Sequence, residues 1–167
     1  TCWSFATTSF VETELIRMQQ PIFDISEMYF VRYAYEAKAE NYVRFQGTNN
    51  FGQGGQAHDV MNVIRKYGMV TEKEYPGLNY GSEVHAHAEL EAGLKAFLDA
   101  VVKNPNKKLT TAWLPAYRGI LDAYLGTVPD KANSPLSKVP FNPDDYIEIT
   151  SFNHHPFYKR VSLEIPD

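Results

Sequence analysis

Disulfide stapling is out of reach for this sequence: among 167 residues, Cys2 is the only cysteine. One thiol forms no internal bridge, and a single cysteine excludes any multi-cysteine zinc or iron–sulfur site within the chain. Long apolar runs are missing too. None approaches the roughly 20 residues that span a bilayer, and no basic-then-apolar leader opens the sequence. Basic charge is in short supply. Lys and Arg number 16 against 20 Asp and Glu, a formal charge of −4, so neither a membrane nor a nucleic acid is an expected partner. Internal repeats and low-complexity tracts are absent. So is a polar lead-in: Thr1-Cys2-Trp3-Ser4-Phe5-Ala6 begins inside a dense apolar pattern, and the last residues stop just after a strand-like alternation. We read the chain as an internal fragment of a longer protein. The lack of disulfides suits a cytoplasmic compartment, with a periplasmic one open should a leader precede the fragment.

What is present favours a packed core. Hydrophobic residues reach 44% and charged residues only 22%, a balance that disordered chains do not have. Helical patterning runs from Cys2 to Met18, where apolar residues cover most of the first two turns and predict a buried N-terminal end; Pro21 then stops the helix. A second helix opens at Ser26-Glu27-Met28-Tyr29, with Asp24 or Ser26 as cap, and runs to about Arg44. A polar, glycine-rich loop follows over 46–55. The third helix, Ala57 to Tyr67, sets Val60, Val63, Ile64 and Tyr67 on one face, and Gly68 stands where a C-cap glycine belongs. Further helices are expected over 88–103 and 110–125, joined by a Pro/Ser/Lys-rich linker over 126–143 to strands over 146–152 and 158–165.

Cys2 is the sharpest chemical feature. Free N–H groups and the positive dipole end at a helix start favour a thiolate, and a backbone N–H there can also hold a developing oxyanion. The ordinary fate of a lone cysteine is burial as a small hydrophobe, so position alone leaves both readings open. Gly54 and Gly55 add a second feature, because an extended peptide needs a close backbone approach and glycine allows it. His85-Ala86-His87 sets two imidazoles at i and i+2, which share a face on a strand but not at a helix start. Without further ligands we read them as helix-start polarity and expect no metal. His58 and Asp59 form a candidate local pair at the head of the third helix, where a polar cap is also ordinary.

Taken in order, Cys2-Trp3-Ser4-Phe5-Ala6, Gly54-Gly55, Lys66-Tyr67-Gly68 and Glu74-Tyr75-Pro76 resemble the papain-like cysteine peptidases. The blocks Ser26-Glu27-Met28-Tyr29-Phe30, Gly54-Gly55-Gln56-Ala57-His58-Asp59-Val60-Met61, Leu109-Thr110-Thr111-Ala112-Trp113 and Thr150-Ser151-Phe152-Asn153-His154-His155-Pro156 are similar to the bleomycin hydrolase and bacterial aminopeptidase C branch. The resemblance spans essentially the whole chain. It implies an α+β papain-like fold: a helical half with the nucleophile over 1–80, a helical insertion and linker over 81–143, and the truncated opening of a β-rich half over 144–167. It implies a thiol aminopeptidase with Cys2 as nucleophile, Gly54, Gly55, Gln56 and Ala57 as the substrate-binding segment, a peptide substrate, a homo-hexameric assembly, and neither metal nor cofactor. The runner-up is a non-catalytic peptide-binding or decayed fragment.

The chain departs from the family pattern in having no Asn-Ser-Trp segment and no room for the oxyanion-assisting Gln before Cys2. His154 and His155 lie just beyond the roughly 130–150 residues that separate nucleophile and base in papain. The branch's insertion pushes the base further on, so we take these histidines as strand-junction polarity and expect the fragment alone to be inactive and poorly soluble.

Overall fold

A computed structural model describes residues 1–85, 87–105 and 108–146. Five α-helices form among the described residues: α1 (Cys2–Arg17), α2 (Glu27–Arg44), α3 (Ala57–Tyr67), α4 (His87–Val102) and α5 (Trp113–Leu125). Three short 3-10 turns follow, Lys131–Asn133, Pro135–Lys138 and Pro143–Tyr146.

Helix α2 is the central rod, and α1, α3, α4 and α5 all pack on it. Its sequence explains the position: Met28, Tyr29, Phe30, Val31, Ala34, Tyr35, Ala39, Tyr42 and Val43 are buried on nearly every side of the cylinder. Burial of each large apolar side chain contributes about 1.5–3 kcal/mol. Ser26 caps the helix by accepting from Tyr29 N–H, so Ser26 rather than Asp24 is the cap. Its hydroxyl also donates to the carbonyl of Tyr75, tying the helix start to the loop after α3. Tyrosines build much of the interior because their hydroxyls reach backbone carbonyls: Tyr29 to Tyr67 at 2.9 Å and Tyr117 to Tyr35 at 3.0 Å.

The α+β expectation is corrected. Among the described residues the molecule is all-helical, and the only β-pairing is one antiparallel bridge, Ile25 to Thr71. Tyr146, the first residue of the expected 146–152 strand, instead closes a 3-10 turn that Pro143, Asp144 and Asp145 favour. Its ring stacks on Phe141 at 5.0 Å. The rest of that strand, all of the 158–165 strand, and His154 and His155 lie outside the described residues.

Two smaller expectations also change. The first turns of α1 are not buried through their apolar residues. Cys2 is exposed, as is Ala6, and Phe5 is 40% exposed. The buried face is Ser4, Thr7, Thr8, Val11 and Leu15. Small polar side chains win there because they let the helix lie close to its neighbours: Ser4 Oγ donates to the Glu27 carbonyl at 2.8 Å, and Thr7 Oγ1 folds back onto the Trp3 carbonyl. The 126–143 stretch is not a bare linker either, since Leu136 and Phe141 belong to the core. Helix α5 starts at Trp113, later than the expected 110, with no side-chain cap.

Candidate functional site

Cys2 is the first residue of α1, with Thr1 at the N-cap position, and is exposed. The next residue, Trp3, turns the other way and is partly buried against the core. Its indole N–H donates to the carbonyl of Gln53 at 2.9 Å. The ring lies against Gly55, where a β-carbon would stand 2.4 Å from it. Trp3 thus fastens the start of α1 to the glycine loop, across more than fifty residues of chain. A glycine is required at 55 by this close approach and not by backbone conformation.

The loop borders an open cleft of about 460 Å³ lined by Lys38, Asn50, Gly52, Gly54, Gly55, Gln56, His58 and Asp59. Gln56 is the N-cap of α3, and its N–H donates to Asp59 Oδ2 at 2.8 Å. The other oxygen of Asp59 stands 3.7 Å from His58 Nε2. Asp59 therefore serves mainly as the helix cap, and the His58–Asp59 pair is long. Ala57, the first residue of α3, does not line the cleft. Neither does Cys2, although its neighbour Trp3 packs on Gly55. Among the described residues the backbone N–H and C=O of Gly55 have no hydrogen-bond partner.

Lys38 escaped the sequence reading. Its ammonium donates to the carbonyls of Gly52, at 2.8 Å, and Gly54. It also lies 5.8 Å from the Trp3 ring centre and 5.7 Å from that of Tyr35. Burial pushes its pKa down, opposed by the carboxylates of Asp59 and Glu91. No local pattern marked it, since α2 carries Arg32 and Arg44 as well.

The histidine pair is closer than helix-start geometry implied. His85 immediately precedes α4 and His87 opens it; Ala86 between them lies outside the described residues. The two rings stack at 5.6 Å and 15°. His87 Nε2 is 3.1 Å from Thr1 Oγ1, and Phe5 meets His85 edge-on at 6.4 Å. Burial lowers both pKa values, and for His87 the neighbouring imidazole lowers it further. The His87 imidazole therefore sits beside the residue that precedes Cys2. No group of three or more His, Cys, Asp or Glu side chains among the described residues is arranged to hold a metal ion.

Away from this region, Glu72 lies near Glu27 and Asp24, and burial first, then those carboxylates, raise its pKa to about 7. Its Oε2 is buried without a hydrogen-bond partner. No helix among the described residues is long and apolar enough to cross a membrane. A scan against protein-family models finds no match to the chain, and a search of curated proteins finds none either.

Proposed function

We propose that this chain carries the nucleophile and the peptide-docking loop of a cysteine peptidase, one that trims residues from peptide N-termini. One observation carries the reading: Trp3, the residue after an exposed Cys2 at a helix start, is packed on Gly55, whose two backbone groups are unpartnered among the described residues. A free N–H and C=O on one glycine can pair with an extended peptide as an added strand does. The resemblance of Cys2-Trp3-Ser4-Phe5-Ala6 and Gly54-Gly55 to the papain-like peptidases supports the same assignment.

In this reading the Cys2 thiolate attacks the scissile carbonyl. Backbone N–H groups at the head of α1 help to hold the oxyanion. The amine leaves with a proton from an imidazole, and water then releases the acyl group from sulfur. A homo-hexameric assembly and a cytoplasmic location belong to the same proposal.

The test is covalent labelling of the full-length gene product, read by mass spectrometry. An aminoacyl chloromethyl ketone is expected to modify Cys2 at least about tenfold faster than it modifies a free thiol, with protection by a competing peptide amide, because docking raises the local concentration of the electrophile. Labelling at the free-thiol rate, without protection, refutes the peptidase assignment. Protection without turnover favours a peptide-binding module instead.

A further inference from the structure

Three successive carbonyls of the glycine loop are taken up from two sides. Gly52 and Gly54 point to the ammonium of Lys38 on α2. Gln53, between them, points to the indole N–H of Trp3 on α1. Gly55 comes next, and its own N–H and C=O have no partner among the described residues.

We propose that Lys38 is the positioning residue of the peptide-docking loop, turning the carbonyls of Gly52 and Gly54 inward so that the backbone of Gly55 is held facing the cleft. The proposal rests on the peptidase reading above, which it deepens by naming what shapes the docking edge. A segment rich in glycine has many backbone states to choose from and little side-chain packing to select one. A single ammonium has three donors. Two are spent on carbonyls two residues apart, which holds 52–54 bent around the ammonium. The charge also lies near the faces of Trp3 and Tyr35, so the same group braces the indole that Gly55 rests on. An apolar side chain would leave both carbonyls without a donor and release the loop from α2. Arginine could reach both carbonyls with its fork, at the cost of some reach and shape.

The experiment compares full-length wild type with Lys38→Met, Lys38→Gln and Lys38→Arg. Steady-state hydrolysis of aminoacyl and dipeptidyl coumarin amides is measured, together with [15N]glycine correlation spectra. Lys38→Met is expected to raise KM by about tenfold or more with kcat within about threefold, because the loop binds ground and transition states alike. Lys38→Arg should recover most of the loss. The amide signals of Gly52, Gly54 and Gly55 should lose their dispersion in Lys38→Met, while that of Gly126, beside Asn79 and away from the glycine loop, stays in place. Iodoacetamide should alkylate Cys2 at the wild-type rate in every variant, which a global defect would not allow. Should Lys38→Met fail to fold, Lys38→Gln takes its place. Unchanged KM and unmoved loop glycine signals overturn the role of Lys38 while leaving the peptidase reading intact. A wild type with no hydrolysis, whose loop signals still collapse in Lys38→Met, refutes the peptidase reading and supports Lys38 as the residue that shapes the loop.

Discussion

The indole of Trp3 rests on Gly55 with no space for a β-carbon between them, so the start of α1 and the loop before α3 form one unit. Gly54, one residue earlier, has nothing within 4 Å of where its β-carbon would be. Gly55→Ala should therefore destabilise by about 1–3 kcal/mol, as overpacking does, and blue- or red-shift Trp3 emission in a Trp113→Phe background. Gly54→Ala should stay within about 0.5 kcal/mol of wild type. Urea melts of both variants check the contrast, and equal costs would refute it.

Glu72 makes stability fall as the solution becomes more alkaline. Its folded pKa is raised from the ordinary 4.5 to about 7, so between those values the folded state holds a proton that the unfolded chain has lost. The favourable contribution is complete below pH 4.5 and is lost as pH rises through 7. Glu72→Gln should be more stable than wild type above pH 7, by on the order of 1 kcal/mol once solvent screening is allowed for, and the gap should close on acidification. Chemical denaturation across that range measures it; a pH-independent gap would contradict the assignment.

Arg32 and Glu36 are an interior ion pair, 4% and 5% exposed. Arg32 Nη2 donates to Asp122 at 2.7 Å, its Nη1 is 3.1 Å from Glu36, and Arg118 Nε reaches the other Glu36 oxygen at 3.0 Å. Arg32→Met alone leaves Glu36 charged, buried and held only from the α5 side, and should cost about 3–5 kcal/mol. The double variant Arg32→Met/Glu36→Met should cost much less than the sum of the singles. A double-mutant cycle by urea denaturation reads the coupling.

Ser26→Ala removes two bonds at once: the acceptor for Tyr29 N–H and the donor to the Tyr75 carbonyl. Loss of a cap typically costs about 1 kcal/mol, and the buried carbonyl left without a donor adds about 1–3 kcal/mol. Asp24→Ala, at the other expected cap position, should cost less, since its carbonyl rather than its side chain meets Glu72 N–H. Thermal melts of the two variants rank them, and equal losses would contradict the capping assignment.

Local patterning was enough for the helices whose burial follows a stripe. Val60, Val63 and Ile64 repeat on one face, and Gly68 adopts φ +79° just past Tyr67, so α3 begins and ends as its residues predict. Capping chemistry located the start of α2 in the same way, because Ser26 acts on a neighbour three residues away. The exposed position of Cys2 and the inward turn of Trp3 were not legible: composition favoured a buried helix start, whereas close approach selected Ser4, Thr7 and Thr8 for the interior.

Relations between distant residues belong to the tertiary structure alone. Periodicity reports which face of an element is apolar, and says nothing of which other element will meet it. Lys38 reads as one more surface charge until α2 brings it beneath the carbonyls of Gly52 and Gly54. His87 reads as helix-start polarity until α4 sets it beside Thr1. The sequence by itself determined that Cys2 would lie in a helix, since the residues that form α1 lie next to it in the chain. Only the packing of helices decided that Trp3 would close on Gly55, because that contact is selected by shape across the core and leaves no local pattern in either segment.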